Sequence, residues 1–568
     1  MRKKPLIGIV TPILARSHIR SIVRGALAQV NACGCDCIVL APLCHFTQCE
    51  PGHAAAERSI YRLVQSDVFD GFLYVKDDTT MGDELTSELE SQLLLSNKYV
   101  MTVDECEHPV FDSTQYDDYD DFGKVVRHLI EVHGYKKIYC LTGPEFRFQA
   151  QNRLRAYKDQ MTEHGLYFDN NYFSYGTFWV DSAIAYAKRI ISGELPRPEA
   201  VVCGNDACAA ALIKELINAG IRVPDDIAVT GYDGFSVTDM DISLTTFNRN
   251  HYQLGADAVR RLYRNITGIL CSKIHRPESG FIIGSSCGCV NIPAKQVLNG
   301  QSETVPEVWK EKIFCDDLPF DLASSQDVPE LLHKAVYHAQ KLYNIKSLQI
   351  YLNEDDDRLC CRASLENNEV RYEGKSFSAD DVTGFLKNSE TSECIFLSPL
   401  HFNKRSFGIM ALSFKEKDRI YDESYLRFVT HTAIAVDRQL YFEKQLTEDP
   451  SYTLRQKEIR QKLSDLRIKL MNDPQLPWTV DKMSREVGMG RSTIQKQYKS
   501  CFGKSIFEEL IQFRVELAKR LLRETDLSLS EITEQCGYST ESYFMKQFKS
   551  VTGITPTEYR KQGSSDPD

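Results

Sequence analysis

Along residues 5 to 290, short apolar runs alternate with stretches whose hydrophobic positions recur every three or four residues. "LIGIVTP", "CDCIVLAP", "GFLYV", "KYVMTVD", "KIYCLTG", "AVVCGND" and "IAVTGYD" are apolar on both faces. That is the pattern of strands covered on two sides. Between them "IRSIVRGALAQVNACG" and "DSAIAYAKRIISG" each carry one apolar stripe, as surface helices do. Such alternation predicts parallel sheets that receive ligands at the carboxyl ends of their strands. A stretch of about 280 residues suits two α/β lobes around a cleft, so residues 1–290 are expected to form one two-lobed unit.

The pattern then changes. "NIPAKQVLNGQSETVPE" is polar, and residues 291–306 are expected to be a linker. Residues 307–445 mix a helix, "VPELLHKAVYHAQKLY", the strands "SLQIYLN", "LCCRAS", "CIFLSPL" and "SFGIMALSF", and a second helix, "ESYLRFVTHTAIAVDRQLYFEKQL". An α+β domain is expected there, with "DDDRLCCRASLE" as an acidic hairpin turn feeding a strand rather than a metal site. Residues 446–472 are charged and helical, the expected signalling linker, and residues 563–568, "GSSDPD", are expected to be a disordered tail.

Residues 473–562 carry a repeat with an offset of 50. Ile494 pairs with Phe544, Lys496 with Lys546, Tyr498 with Phe548, Lys499 with Lys549 and Gly503 with Gly553. In each copy an apolar pair at i, i+4 seats a helix and a lysine faces outward. A shorter helix precedes each copy, "TVDKMSREVG" and "LSEITEQCG", ending in a glycine that permits a tight turn. Ser539 is the expected N-cap of the second outward-facing helix. The long helix "IFEELIQFRVELAKRLLRET" bridges the copies. The pattern predicts an all-α double helix-turn-helix whose two readers suit successive major-groove faces about 34 Å apart.

Charge changes this picture only when it is resolved along the chain. The formal net charge of -11 opposes DNA. Residues 451–562, however, hold 20 Lys and Arg against 14 Asp and Glu, while the remainder is strongly acidic. Local charge is what attracts phosphates. No run of 18 apolar residues occurs, so no membrane span is expected. The start "MRKKPLIGIVTPI" reads as a first buried strand rather than a signal peptide, and a cytoplasmic location follows. The 18 cysteines include Cys33, Cys35, Cys37, Cys44, Cys49, Cys287 and Cys289, but the C-x-C spacings lack the usual zinc framework. Reduced buried thiols are expected, with no metal and no cofactor. No Ser/His/Asp arrangement stands out, and an enzyme is not expected.

Three resemblances sharpen the reading. "FDGFLYV", "DFGKVVRHLIEVHGYKKIYCLTG", "NRLRAYKDQM", "AVVCGNDACAAALIKELINAGIRVPDDIAVTGYDG" and "LTTFNRNHYQLGADAVRRL" resemble the effector-binding domain of LacI/GalR-type repressors, relatives of type 1 periplasmic sugar-binding proteins. Ala156 departs from the glycine usual there. The resemblance implies a periplasmic-binding-protein-like fold and a ligand site at Arg153, Asn205, Asp233 and Asp104, with Phe178 or Trp179 stacking on a sugar ring and His18 at the mouth. The pair "FLSPLHFNKRSFGIMALSF" and its terminal helix are similar to GAF-type domains. "FRVELAKRLLRETDLSLSEITEQCGYSTESYFMKQFKSVTGITPTEYRK" resembles the AraC/XylS signature, with Thr533 in place of the common alanine. That resemblance implies base contacts from Ser492, Gln495 and Lys496 on the first reader, and from Glu541, Ser542 and Lys546 on the second, with Thr540 also expected to bind DNA. Glu541 reads equally well as a helix N-terminal charge favoured by the macrodipole. Arg491, Lys499 and Lys549 are expected on phosphates.

The expected whole is a transcription regulator, an activator rather than a repressor. Its expected partners are double-stranded DNA, a small-molecule effector such as a sugar or sugar derivative, RNA polymerase and a second copy in a homodimer. Two alternatives remain: a sensor that has lost its ligand and serves as a dimerisation scaffold, and a Cys-dependent regulator resembling DNA-alkylation repair proteins.

Overall fold

The computed structural model describes residues 4–564 apart from 15, 45–48, 78–80, 104–107, 116, 235–241, 273–279, 290–316, 341, 343, 356, 367–368, 373, 375, 387–392, 422, 449–453 and 526. The expected linker at 291–306 lies outside the described residues.

The first lobe contains β1 (Leu6–Val10), α1 (Ser17–Ala32), β2 (Asp36–Leu40), α2 (Pro51–Arg58), β3 (Gly71–Val75), α3 (Asp83–Leu95), β4 (Tyr99–Val103) and β5 (Asp112–Thr114). Its strands run parallel in the order β2-β1-β3-β4-β5. Every residue of β1, β2 and β3 is buried, as their continuous apolar runs require. The second lobe contains α4 (Asp118–Glu131), β6 (Ile138–Thr142), α5 (Phe148–Glu163), β7 (Phe173–Tyr175), α6 (Val180–Ile191), β8 (Ala200–Cys203), α7 (Asp206–Asn218) and β9 (Ala228–Thr230), with parallel order β7-β6-β8-β9. The chain then leaves through β10 (Thr246–Asn248) and sends α8 (His251–Thr267) back against α1 of the first lobe, while β11 (Gly280–Ile282) pairs with β10. Helices α1 and α8 cross backbone to backbone. A Cβ on Gly25 would lie 1.8 Å from the Tyr252 carbonyl oxygen, and one on Gly255 would lie 1.9 Å from that of Ile22. Only glycine fits at either point.

The middle segment is α+β. It comprises α9 (Val328–Ala339), β12 (Ile345–Asn353), β13 (Arg358–Glu366), β14 (Glu369–Tyr372), β15 (Ser376–Ser378), β16 (Cys394–Phe402), β17 (Arg405–Phe414) and α10 (Glu423–Glu448). Its antiparallel order is β14-β13-β12-β17-β16, with β15 on β13. Glu354, Asp355 and Asp357 lie in the β12–β13 turn, where the Asp357 amide donates to Asp355 Oδ1 at 3.0 Å. The middle sheet does not end at β16. That strand pairs in parallel with β2, placing Cys394 opposite Cys37 and Leu397 opposite Leu40, so one sheet runs through both units. One hydrophobic core also joins them: Cys35, Cys37 and Val39 share it with Leu348, Phe396 and Met410. Cys35 and Cys37 are therefore buried on one face beside Val39, as the alternation predicts.

The C-terminal helices are α11 (Leu454–Asn472), α12 (Val480–Val487), α13 (Arg491–Phe502), α14 (Ile506–Glu524), α15 (Leu529–Gln535), α16 (Glu541–Thr552) and α17 (Pro556–Ser564). Leu463, Leu466 and Leu470 of α11 are buried with Trp478, Met483, Ile494 and Tyr498. Over α11, the stretch expected as a signalling linker is thus part of the first reader's core. Gly563 and Ser564, expected in the tail, continue α17, and residues 565–568 lie outside the described residues.

Candidate ligand cleft and nucleic-acid interface

Four charges meet between the lobes. Asp118 sits in the first turn of α4, whose N-cap Asp117 accepts the Asp120 amide. Arg153 projects from α5 and is buried, donating through Nη1 to the Gly204 carbonyl at 2.5 Å and through Nη2 to Asp118 Oδ2 at 3.0 Å. Arg249, in the segment between β10 and α8, reaches Asp118 Oδ1 at 2.9 Å and Asp233 Oδ1 at 3.3 Å. The Tyr232 hydroxyl donates to Asp118 Oδ1 at 3.0 Å, and its ring lies under both guanidiniums, 4.6 Å from Arg153 and 5.5 Å from Arg249. Burial alone would raise the Asp118 pKa, but the two arginines and the tyrosine hydroxyl outweigh it and hold the carboxyl below its usual range. For Asp233 burial wins: its pKa is raised although Arg249 and Arg153 oppose the shift.

The first lobe faces this cluster with Arg16, His18 and Asp77. Arg16 donates to Asp77 at 3.1 Å and lies 4.9 Å over the Trp179 ring, so a first-lobe guanidinium stacks on a second-lobe indole. His18 stands 5.9 Å from His251, ring to ring. Burial is the largest influence on His18 and brings its pKa down to about 4 despite Asp77.

Of the residues expected around the ligand, Arg153 and Asp233 join the four-charge cluster, and Phe178, Trp179 and His18 border it. Phe178 lies 5.3 Å under Arg153, with its ring where a Cβ on Gly143 would fall. Asn205 serves the backbone: Oδ1 accepts the Cys208 amide as the N-cap of α7, and Nδ2 donates to the Phe178 carbonyl at 2.9 Å. Asp104 lies outside the described residues. The backbone here is unusual, with Phe178 at φ 63°, Asp233 at φ 129° and Asn250 at φ 49°. Three non-glycine residues in the left-handed region around one cleft store strain of the kind found at ligand clamps. Asp118, Arg249, Tyr232 and His251 were not anticipated. Asp118 is one of four aspartates in "YDDYDDFG", and Arg249 stands in the polar stretch "NRNH", so both look like surface charges.

The second candidate surface is the pair of outward-facing helices. Helices α13 and α16 start and stop 50 residues apart and end in left-handed glycines, Gly503 at φ 72° and Gly553 at φ 83°. Over their first ten residues the exposure is the same position by position. Ile494 and Tyr498, like Phe544 and Phe548, are buried; Arg491, Ser492, Gln495, Lys496 and Lys499, like Glu541, Ser542, Lys546 and Lys549, are exposed. The next helix of each copy also begins alike, with Ser505 and Glu508, then Thr555 and Glu558, exchanging side-chain and backbone bonds. The expected N-cap at Ser539 is corrected: Thr540 Oγ1 accepts the Tyr543 amide, because the turn after Gly537 is one residue longer than that after Gly488. Thr540 is exposed but committed to this cap. Arg491 pairs with Asp481 of α12. Thr533 is buried, and its hydroxyl is satisfied by the Leu529 carbonyl at 2.7 Å. Cys536 is a fully buried thiol at the turn.

Residues 126–287 match a periplasmic binding protein-like domain, and residues 483–562 match a helix-turn-helix domain. The chain is 31% identical over 219 residues to the transcriptional repressor PurR of Photobacterium profundum, covering 38% of this chain and 63% of that protein. It is 36% identical over 142 residues to the ribose operon repressor of Escherichia coli K12, covering 25% of this chain and 42% of the repressor. The chain thus spans less than two thirds of the repressors it matches. A LacI family regulator from Mycobacterium smegmatis superposes with TM-score 0.40 and 20% identity, over 49% of this chain and 98% of that one. No described helix is long and apolar enough to cross a membrane. The chain therefore joins a LacI-like, periplasmic binding protein-like domain to a C-terminal helix-turn-helix domain of AraC type.

Proposed function

We propose that this chain is a transcription regulator in which a small polar molecule, a sugar or sugar derivative, binds between the two lobes and alters how the paired C-terminal helices engage double-stranded DNA. The observation that carries the DNA reading is the matched exposure of α13 and α16, each with a buried apolar pair beneath and outward lysines. Arginine forks, carboxylates and an aromatic ring at one cleft supply what hydroxyl-rich ligands need. The ribose operon repressor, to which part of the chain is similar, is named for a sugar operon. In this reading the protein acts in the cytoplasm as a homodimeric activator that contacts RNA polymerase. The middle α+β segment serves as a GAF-like relay, and Ser492, Gln495, Lys496, Glu541, Ser542 and Lys546 face bases, with Thr540 capping the second of the two helices at the DNA.

A second reading has its own support. Arg153, Arg249, Asp118 and Asp233 neutralise one another, the arrangement expected if the cleft has become a scaffold. A thermal-shift screen of the full chain against a sugar panel separates the two. A ligand that stabilises the wild type and fails to stabilise Asp233→Ala supports the sensor. No response to any sugar favours the scaffold. DNA affinity that does not fall with rising salt argues against the phosphate contacts of both.

A further inference from the structure

Away from the cleft, the second lobe gathers two histidines and two cysteines that neither reading uses. His128 lies in the last turn of α4, and His133 follows five residues later. Cys287 and Cys289 lie on the return segment after β11, close to where the described part of the lobe ends. One ligand atom from each falls within 4.8 Å of all the others. The His128 and His133 Nε2 atoms are 3.2 Å apart. Cys289 Sγ is 3.3 Å from His133 Nε2 and 3.5 Å from His128 Nε2, and Cys287 Sγ is 3.5 Å from His128 Nε2.

These separations are close to the edges of a metal tetrahedron. Zn–N bonds near 2.0 Å and Zn–S bonds near 2.3 Å put ligand atoms roughly 3.3 Å (N to N) to 3.8 Å (S to S) apart at tetrahedral angles. A cation held by two thiolates and two neutral imidazoles would leave no net charge in a half-buried site, and the Cys₂His₂ set has no open position for a substrate. The surroundings hold the four groups in place. Tyr135 donates its hydroxyl to the Cys287 carbonyl at 3.1 Å and stacks on the His133 ring at 5.4 Å. The Thr245 hydroxyl donates to Cys287 Sγ at 3.0 Å, an outer bond of the kind that orients a thiolate ligand. Between the two cysteines Gly288 takes φ 101°, and a Cβ there would approach the Tyr135 hydroxyl at 3.2 Å and the His133 ring at 3.5 Å. This turn lets one short segment present both sulfurs to the same point, which C-x-C spacing alone does not announce.

We propose that His128, His133, Cys287 and Cys289 form a structural Zn²⁺ site that pins the last described segment of the second lobe to the end of α4. Binding converts two thiols to thiolates and releases two protons, with no change in oxidation state.

The test is elemental analysis of the full chain purified without chelators. One zinc per chain is expected, falling to near zero in Cys289→Ser and in His133→Gln while secondary structure persists. Replacement by Co²⁺ should give the intense visible bands of tetrahedral cobalt with thiolate ligands, lost in Cys289→Ser. His53→Gln serves as control, because Cys44, His53 and Glu57 form another close group of possible ligands. Zinc that survives Cys289→Ser but is lost in His53→Gln overturns the assignment, as does a different bound metal. A chain that holds no zinc as isolated and does not take it from a chromogenic chelator overturns it as well.

Discussion

His18 shows how a single side chain ties the cleft to solution conditions. Its folded pKa of about 4, like that of the buried His333, lies below the value of about 6.5 expected of unfolded histidine. As pH falls from 6.5 toward 4 the unfolded chain takes up these protons and the folded chain does not, so stability is lost across that window. Thermal melts from pH 7.5 to 4.5 should show a falling midpoint, and His18→Gln should flatten part of the slope. On the outward faces of α13 and α16, Lys496 and Lys546 occupy equivalent exposed positions. If both reach bases, Lys546→Ala costs about 1–3 kcal/mol on the preferred site and less on random DNA. Equal losses on both, measured by fluorescence anisotropy, would place it on phosphate. Side chains of this kind are legible in sequence because the buried pair beneath them fixes which way they point. Asp118, Arg249 and Arg467 are not, since a charge in a polar stretch has the same pattern whether it faces water or a buried partner.

At the scale of elements, the repeat written in the sequence is the repeat in the fold. The apolar pair, the left-handed glycine and the following cap recur at the offset of 50 because each performs one local task. What differs is the turn before the helix, and there the local signal fell between Ser539 and Thr540. Gly537 is the sensitive point of that turn: φ is 74°, and a Cβ would come within 2.2 Å of the Gln475 carbonyl oxygen. Gly537→Ala should therefore cost about 1–3 kcal/mol or more and weaken DNA binding, whereas Gly488→Ala, with open space around it, should cost less. Chemical denaturation of the two variants makes the comparison. The pairing of β2 with β16 was beyond sequence reasoning. Each strand reads correctly as an apolar run, but nothing local names a partner in another unit.

For the whole molecule, Arg467 is where the middle segment grips the first reader. It is buried on α11, held by Glu509 of α14 through bonds of 3.0 and 2.6 Å, and also paired with Asp327, the N-cap of α9. Glu509 also accepts the Tyr498 hydroxyl from α13 at 2.5 Å. Burial opposes the charge of Arg467, yet the surrounding carboxylates raise its pKa, so Arg467 stays a cation. Arg467→Ala strands two buried carboxylates and should cost about 3–5 kcal/mol. Arg467→Lys keeps the charge without the fork and should fold better while loosening the reader from the middle segment. Hydrogen exchange that becomes faster in α13 and α14, with the lobes unchanged, is the expected signature.

The β2–β16 junction also bears on synthesis. Glu393 donates its amide to Asp36, 357 positions earlier, at the start of the paired strands. While the ribosome is still making the intervening chain, the first lobe carries a strand that is apolar apart from Asp36, with one hydrogen-bonding edge uncovered. Such edges recruit other strands. A nascent or truncated chain that stops before residue 394 is therefore sticky in a way the finished protein is not, and β16 acts as the late-arriving selvage that seals it.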